Sequence, residues 1–424
     1  MTVRIALVGV NYRPEVTGIA PYTADAAEHL TSSGHDVRVC TGFPHYPRWA
    51  ADPRYGSPRI REVINGVQVT RVRHHVPARP SLTGRSRLEL SVGRRLVMND
   101  VRGASDADLS GADLVICVTP ALLTSACVVA YLRTRSARPR IGVWVQDLYG
   151  RGIVQTGSGG TTAAAAISAV ESAVFRAADG VAVIHERFAE HVVDSLGVHR
   201  ERVSVVPNWN HQRHVDRPSR VEARRMLGWS QDAVIAVHAG NMGVKQGLHT
   251  VVDAARVARD RGRNVHFYLV GDGNQREALE RSGDGVDTMT FLRPLPDDQF
   301  RASLAAADVL LVNELPTLTD MAVPSKLTTY FASGTPVLAA TSADSVTSAQ
   351  IELSGAGRRI DPGDPESLLA AVIDMASDAP GSARMGLSGR GFADSALSRS
   401  VGVSRIGEWA DGLLGMRMSQ SERH

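Results

Sequence analysis

The chain has 424 residues, and 43% of them are hydrophobic, which is enough for two globular domains with cores of their own. The formal net charge is only +3, and aromatic residues make up 5% of the chain. This composition excludes a low-complexity chain and argues against a nucleic-acid-binding protein, since no basic stripe or stacking platform stands out.

The three cysteines are Cys40, Cys117 and Cys127. They are odd in number, lie in apolar segments and lack the spacing of metal ligands. We therefore expect buried thiols in a reducing compartment.

No targeting or membrane segment is apparent. The apolar stretch 3–10 is too short for a signal peptide and leads into a turn. The most apolar window, 112–132, is split by Pro120, which predicts a strand followed by a helix. We expect a cytoplasmic protein.

The first half of the chain repeats a strand, a turn and an amphipathic helix. Residues 3–10 are predicted to form a strand, and residues 20–33 a helix that begins near Pro21 and ends before Gly34. Further strands are predicted at 37–41, 114–119, 141–145, 181–184 and 203–206, with helices at 121–133 and 163–177. This alternation indicates an α/β fold with a parallel, doubly wound sheet.

A segment without apolar periodicity, 207–218, interrupts the pattern, and the alternation then restarts. The later strands are predicted at 234–238, 265–270, 288–292, 309–312 and 336–340. We therefore expect two Rossmann-like domains that face each other across a ligand-binding cleft. Their predicted ranges are 1–207 and 208–396, followed by a C-terminal helix and tail, 397–424, for which a return to the first domain is one option.

The stretch 238–250 has the build of a phosphate-binding turn. Gly240, Gly243 and Gly247 follow an apolar strand and precede a helix, so unpaired N–H groups and the positive end of the helix dipole would point into the turn. The alternative is a tight turn whose glycines serve backbone geometry alone.

Lysine usage favours the functional interpretation. Of the 47 lysines and arginines, only Lys245 and Lys326 are lysines, and both lie in loops that follow predicted strands. A narrow phosphate pocket suits the compact ammonium group better than the wide guanidinium group. Lys326 also opens a predicted helix, where a cation is unfavourable unless an anion is bound there.

Three further turns carry polar residues at the ends of strands. Gly271 and Asp272 lie in a Gly-Asp-Gly turn that could admit a nucleotide or be an ordinary turn. Gly18 precedes the first helix, where its backbone could meet a ligand. Asp147 follows a strand and could bind sugar hydroxyls or handle a proton, or could merely cap a helix or bind its own loop.

Taken together, these motifs resemble the retaining glycosyltransferases of the two-Rossmann-domain type, family 4, and within it most resemble colanic acid-type fucosyltransferases and related polysaccharide or aminosugar transferases. The similarity covers nearly the whole chain. Its segments are 12–23, 34–39, 44–47, 145–148, 206–209, 240–247, 269–273, 324–327 and 332–337.

The resemblance implies a nucleotide-sugar donor held mainly by the second domain and an acceptor held mainly by the first. Implied donor-binding residues are Gly18, Gly240, Asn241, Gly243, Lys245, Gln246, Gly271, Asp272, Leu295, Asp320, Ser325, Lys326, Leu327 and Thr328. Implied acceptor-binding residues are Thr17, His45, Tyr46, Gln146 and Asp147. Of these, Asp147, Lys245 and Lys326 are the candidates for catalysis.

The chain departs from the family pattern in three places. Asn241 stands where many relatives have Arg, so one charged contact to the diphosphate is missing. The usual pair of glutamates is replaced by Asp320 and by Thr328 or Thr329. The histidine that many relatives carry near Asp147 is also missing.

The expected chemistry needs no cofactor and no divalent metal, because N–H groups and lysines can stabilise the leaving diphosphate. The sequence Asp106-Ala-Asp108 spells a metal-binding motif, but it precedes a strand instead of ending one, so we interpret it as a solvated loop. No dinucleotide-binding Gly motif follows a strand, which argues against a dehydrogenase.

Alternatives remain at this stage. A non-hydrolysing nucleotide-sugar epimerase shares the architecture, and a non-catalytic nucleotide-sugar-binding protein would share the site. The basic segment 84–98 could contact an anionic membrane peripherally or could be a core-packing helix with a solvated Arg face. We expect a soluble small-molecule or sugar acceptor.

Overall fold

The computed structural model describes residues 2–16, 18–46, 48–78, 81–103, 109–150, 160–210, 218–316 and 326–421. The chain divides into two compact units. The first contains Met1–Trp209 together with Arg399–His424, and the second contains Asn210–Ser398. Thr17, Asp320, Ser325 and the Asp106-Ala-Asp108 motif lie outside the described residues.

The first unit is built on an eight-stranded sheet. Its strands are β1 (Arg4–Val8), β2 (Asp36–Gly42), β3 (Arg59–Ile64), β4 (Val67–Val72), β5 (Leu114–Val118), β6 (Arg140–Val145), β7 (Gly180–Val183) and β8 (Val203–Val205). Their order is β3-β4-β2-β1-β5-β6-β7-β8, and all neighbours are parallel except β3 and β4. The helices of this unit are α1 (Ala20–Ser32), α2 (Leu82–Val101), α3 (Leu122–Arg133), α4 (Gly160–Ala177), α5 (Glu186–Asp194) and the C-terminal α14 (Arg399–Ser421).

The second unit has a six-stranded parallel sheet with the order β11-β10-β9-β12-β13-β14. Its strands are β9 (Val234–Ala239), β10 (Val265–Val270), β11 (Met289–Leu292), β12 (Val309–Asn313), β13 (Val337–Ala340) and β14 (Gly357–Ile360). Its helices are α6 (Arg220–Leu227), α7 (His249–Asp260), α8 (Arg276–Ser282), α9 (Asp297–Ala306), α10 (Lys326–Ser333), α11 (Val346–Ser354), α12 (Pro365–Ser377) and α13 (Ala379–Ala396). Successive side chains of β9 pack into hydrophobic cores on opposite faces of the sheet. Ile235 and Val237 lie in one core, and Ala236 lies in the other. The predicted doubly wound α/β class is confirmed for both units.

The hairpin of β3 and β4 was absent from the sequence-based prediction, which placed only parallel strands in this unit. Its turn consists of Asn65 and Gly66, both with positive φ, 50° and 84°. Two positive φ values match the mirror-image turn that suits the twist of a hairpin, and Asn-Gly is the pair that adopts it most easily.

The C-terminal helix α14 (Arg399–Ser421) belongs to the first unit. Glycines on two strands make room for it: a Cβ at Gly142 would lie 2.7 Å from the Trp409 ring, and one at Gly180 would lie 2.6 Å from Leu413. Arg399 also forms an ion pair with the buried Asp25, 2.9 Å between Nε and Oδ1. The last helix therefore completes the core of the first unit.

Within the described ranges, no helix has the length and apolarity needed to cross a bilayer. Cys40 and Cys117 are buried and Cys127 is partly buried, and none of these three cysteines is part of a disulfide.

Candidate functional site

The Gly-rich turn that follows β9, residues 240–247, is called the phosphate turn below. It rests on the next loop of the same sheet edge through backbone hydrogen bonds. Gly240 N–H donates to Val270 (2.8 Å), Met242 N–H donates to Asp272 (2.8 Å), and Gln275 N–H donates to Met242 (2.9 Å). These bonds fix the turn through its backbone, and they pair the N–H groups of Gly240 and Met242, which the sequence-based interpretation expected to be unpaired.

Gly271 and Gly273 are required by this contact between loops. A Cβ on Gly271 would overlap the carbonyl oxygen of Gly240, and one on Gly273 would overlap that of Met242. Both also have positive φ, 141° and 158°. The contact between the two loops therefore explains both glycines, whether or not a ligand approaches them. Asp272 between them is exposed, and its carboxylate accepts a hydrogen bond from Gly273 N–H (2.8 Å).

The second half of the phosphate turn is tied to the end of β12. Asn313 Nδ2 donates to the carbonyl oxygens of Gln246 (2.8 Å) and Gly247 (2.9 Å), and Leu315 N–H donates to Lys245 O (3.0 Å). The Gln246 side chain accepts from Gly243 N–H (3.0 Å), so its amide oxygen stabilises the turn itself. Lys245 thus stands on a fixed backbone, half-buried.

Lys326, the first residue of α10, lies against the phosphate turn. Its Nζ is 3.2 Å from Nε2 of the buried His238, and the Cβ position of Gly240 is 3.5 Å from the same Nζ. Burial lowers the pKa of Lys326 to about 7, and the nearby Glu314 carboxylate opposes this shift. Burial, and then the Lys326 charge, lower the pKa of His238 well below its usual value. The structure therefore brings Lys326 and Gly240 together, with a neutral histidine behind the ammonium group.

Helix α10 is locked to β9 by Tyr330. Its hydroxyl accepts from Ala239 N–H (2.7 Å) and donates to Ala239 O (3.1 Å). Leu327 and Thr328 are buried, and Leu327 and Leu295 pack on the same core. The Leu327 side chain is therefore occupied in packing, so a donor contact at Leu327 would have to come from its backbone, whereas Leu295 is only partly buried. Asn241 is exposed at the surface of the turn.

Sequence reasoning missed Asn313 and Glu314, which directly follow an apolar strand and could have been found by that signal. Glu314 accepts hydrogen bonds from Thr341 and from Thr347 (2.6 Å). Its negative charge raises the pKa of Lys326 and so opposes the effect of burial. It also missed Arg276, whose guanidinium donates to the carbonyl oxygens of Gly271 and of Leu292 (2.9 Å). No sequence pattern marks Arg276.

In the first unit, the Gly18 turn and residues 45–46 are held together by Glu15, which sequence reasoning also missed. Its buried carboxylate accepts from His45 N–H (2.8 Å), from Tyr46 N–H (2.7 Å) and from Asn11 Nδ2 (2.9 Å). Gly18 has φ of 65°, and its Cβ position lies 3.7 Å from the Tyr46 ring. Three predicted residues, Gly18, His45 and Tyr46, therefore form one cluster.

His45 is buried, with Nδ1 3.0 Å from Phe43 O and its ring centroid 4.9 Å from that of His74. Burial, and then His45, lower the pKa of His74 to about 3, so His74 is neutral and accepts a hydrogen bond from Phe43 N–H (3.2 Å). The imidazoles shape the floor of the cluster and leave Tyr46 at its surface.

Gln146 and Asp147 follow β6. Gln146 is buried, its N–H donates to Thr119 Oγ1 (3.0 Å), and within the described part of the chain its Nε2 has no hydrogen-bond partner. Asp147 is half-buried, and its Oδ1 accepts a hydrogen bond from Leu148 N–H (2.9 Å). This is the bond within its own loop that the sequence allowed as the alternative to a binding or proton-handling role. An unpartnered buried amide is costly, so Gln146 is suited to bind an oxygen of a ligand.

The loop after Asp147 is held by Glu171 on α4. This buried carboxylate accepts from Tyr149 N–H (2.7 Å) and Gly150 N–H (3.3 Å). Burial raises the pKa of Glu171 to about 7, and the charge of Asp147 adds to the shift. No metal-binding group of three or more His, Cys, Asp or Glu side chains occurs in the ranges that the structure describes.

Comparison with known proteins gives a consistent assignment. A family model described as "Glycosyl transferase 4-like domain" matches residues 17–209, and "Glycosyl transferases group 1" matches residues 233–378. WcaI of Escherichia coli (strain K12), named for glycosyl transfer in colanic acid biosynthesis, is 30% identical over 344 residues, which are 78% of this chain and 81% of WcaI.

Two solved structures share the fold. Sucrose-phosphate synthase from Thermosynechococcus elongatus superposes with a TM-score of 0.75 at 18% identity, over 98% of this chain and 100% of that one. Anabaena Alr3699/HepE, solved in complex with UDP-glucose, gives 0.66 at 15% identity, over 96% and 98%. The chain belongs to the glycosyltransferases of the two-Rossmann-domain type, family 4.

Proposed function

We propose that this glycosyltransferase moves a sugar from a nucleoside-diphosphate sugar to a soluble small-molecule or sugar acceptor, with retention of anomeric configuration and without a divalent metal. The observation that carries the proposal is the phosphate turn, where Lys245 stands in the turn and the Lys326 ammonium group lies 3.5 Å from the Cβ position of Gly240. The UDP-glucose complex of HepE, a protein of the same fold, supports the choice of donor class.

In this mechanism the turn stabilises the leaving diphosphate. Cleavage of the anomeric bond places negative charge on the phosphate and oxocarbenium character on the sugar, so the ammonium groups of Lys245 and Lys326 favour the transition state over the substrate. Lys326 supplies a second cation at the phosphate turn, which offsets the loss of the Arg that many relatives carry in place of Asn241. Thr328 and, by the family pattern, Asp320 and Ser325 complete the donor site.

The acceptor is assigned to the first unit. Gln146 Nε2 is a buried donor without a described partner, and Asp147 beside it offers a carboxylate to hydroxyl groups. Asp147 orients hydroxyls and does not attack the sugar, because the leaving phosphate takes the acceptor proton. Asp147→Asn is then expected to lose much of the activity, and mass spectrometry is expected to find no glycosyl adduct on the wild-type residue. An adduct on Asp147 would contradict this role.

The two lysines give the direct test of the donor site. Lys245→Ala and Lys326→Ala should each weaken binding of UDP-glucose or another nucleoside-diphosphate sugar about 10- to 100-fold, the loss of a charge-assisted contact worth about 1.5–3 kcal/mol. Circular dichroism should remain that of the wild type, and the exposed Arg281→Ala serves as the matched control. Wild-type affinity in both lysine variants would place the diphosphate elsewhere.

Product analysis tests the reaction itself. NMR of the product should show the donor's anomeric configuration, and activity should survive EDTA. An inverted product, or activity that EDTA abolishes and magnesium restores, would overturn this part of the proposal. Conversion of the donor sugar to its epimer without an acceptor would identify the epimerase alternative, and donor binding without any turnover would identify a binding protein.

Helix α2 bears on the choice between a soluble and a membrane-bound acceptor. Leu88, Val92 and Leu96 are buried, and a Cβ on Gly93 would lie 2.8 Å from Cys127 on α3. The apolar side of α2 is therefore used in packing, which supports a solvated Arg face over peripheral membrane contact. Strong co-sedimentation with anionic vesicles, lost on neutralising Arg85, Arg87, Arg94 and Arg95, would reverse this preference.

A further inference from the structure

One tryptophan differs from the others in its surroundings. Trp144, Trp209, Trp229 and Trp409 are all buried in the cores, whereas Trp49 is only partly buried. Its φ is 52°, in the left-handed region, which is strained for a bulky side chain. Neither burial in a core nor backbone preference explains why this position carries the largest side chain.

Trp49 forms a group with Tyr46 and Arg85, called the aromatic subsite below. The Tyr46 and Trp49 ring centroids are 6.0 Å apart at an interplanar angle of 87°, and the Arg85 guanidinium lies over the Trp49 ring, 5.2 Å from its centroid. Tyr46 is 38% exposed, so the group presents aromatic surface and a guanidinium together to solvent.

The group is held in place from behind. Glu15 fixes the backbone of Tyr46 (2.7 Å), and the buried His45 ring lies edge-on to Trp49, 5.9 Å between centroids. The Gly18 turn adjoins it, since the Cβ position of Gly18 is 3.7 Å from the Tyr46 ring. A preorganised surface of this kind loses little entropy when a ligand binds.

We propose that the aromatic subsite binds a pyranose ring of the acceptor, an inference that rests on the proposed function. The C–H face of a pyranose packs against the electron-rich face of Tyr or Trp, and guanidinium N–H groups donate to its hydroxyls. A fixed pair of perpendicular rings with a guanidinium suits a rigid polar ring better than a fluid lipid surface. The acceptor is thus a sugar or glycoside.

Fluorescence reports on this subsite, because Trp49 is the most exposed of the five tryptophans and should be the one most open to a quencher in solution. Acrylamide quenching should be reduced by millimolar concentrations of at least one sugar in a panel of hexoses, aminosugars, uronic acids and their methyl glycosides. The protection should be lost in Tyr46→Ala and in Arg85→Ala. Arg87→Ala, an exposed arginine of the same helix α2, should leave it unchanged.

A kinetic arm uses Trp49→Asn, since Asn accepts a left-handed backbone more readily than Trp and should not destabilise the fold. When the sugar that protects Trp49 is used as the acceptor, the KM of Trp49→Asn for that sugar should rise about tenfold or more. The KM for the donor and the rate of donor hydrolysis without acceptor should stay at wild-type values. An unchanged acceptor KM would overturn the proposal.

Two other outcomes also overturn it. If no sugar of the panel protects Trp49 while nucleoside-diphosphate sugars still bind, the subsite is wrong and the proposed function stands. If vesicles of anionic lipid protect Trp49 and sugars do not, the group is a lipid contact. Failure of nucleoside-diphosphate sugars to bind at all would instead remove the proposed function.

Discussion

In the second unit the phosphate turn packs on the neighbouring loop backbone against backbone, with added hydrogen bonds from Asn313 and Arg276, whereas in the first unit the corresponding loops are held mainly by buried charged side chains. Glu15 holds residues 45–46, Glu171 holds the loop after Asp147, and the fully buried Arg71 donates to Gly42 O (3.2 Å) and to Arg13 O. The contrast suits the roles proposed for the two units: a rigid turn holds Lys245 and Lys326 in place for a diphosphate, while an acceptor site requires its own set of side chains.

The largest effect should come from breaking the contact between backbones. Gly271→Ala places a Cβ onto the Gly240 carbonyl, so the phosphate turn must move or the unit must unfold. We expect a loss of about 3 kcal/mol or more in the free energy of unfolding, together with loss of donor binding. Urea unfolding and calorimetry with UDP-glucose measure the two effects.

The matched control is Gly262→Ala. Gly262 also has positive φ, 57°, but nothing lies within 4 Å of its Cβ position. Gly262→Ala should lower the free energy of unfolding by only about 1 kcal/mol and keep donor binding, because this variant carries the backbone strain without the steric overlap. Equal losses in the two variants would show that the contact between the loops is unimportant.

The second test breaks the side-chain clamp of the first unit. Glu15→Gln keeps the size of the side chain but removes the charge that accepts three N–H groups, and it turns an amide NH₂ group towards them. We expect about 2 kcal/mol of destabilisation and a raised acceptor KM, with a smaller loss of donor affinity because the Gly18 turn, implied in donor binding, adjoins the clamp. The exposed Glu190→Gln should change neither stability nor affinity. An acceptor KM that stays at the wild-type value in Glu15→Gln would show that the clamp does not serve the acceptor.

The same contrast explains how far the sequence could be interpreted. Backbone contacts need glycines at particular places, so the Gly-rich phosphate turn and the Gly-Asp-Gly loop were visible as motifs after predicted strands. The two lysines were visible because the chain otherwise uses arginine. The overall α/β class followed from the alternation of strands and helices.

Side-chain clamps join residues that are far apart in the sequence, and their spacing carries no signal. Glu15 binds residues 30 and 31 positions away, and Glu171 binds residues 22 and 21 positions away. The hairpin of β3 and β4 is a different case: its Asn65-Gly66 turn signal was present, but only β4 is largely buried, so the apolar pattern of β3 was weak.

The smallest effect concerns the titration of Lys326 at the phosphate turn. Its pKa of about 7 means that roughly half of the molecules carry the ammonium charge at neutral pH in the absence of ligand. The groups that face it are the neutral His238 and the carboxylate of Glu314. A bound diphosphate favours the charged form, so binding should raise the pKa of Lys326 and take up a proton. Affinity for UDP-glucose should therefore fall as pH rises above about 7, by at most about tenfold for each pH unit.

Calorimetry in buffers of different ionisation enthalpy should detect this proton uptake, and in Lys326→Met both the uptake and the pH dependence should disappear. The unfolding free energy should change in the opposite sense. Because the pKa of Lys326 is depressed in the folded protein, the unfolded chain binds more protons between pH about 7 and the usual lysine pKa of 10.5, and stability should rise with pH across this window. Donor affinity that stays constant or increases from neutral to alkaline pH would show that the Lys326 charge does not meet the diphosphate, and would leave Lys245 as the cation of the turn.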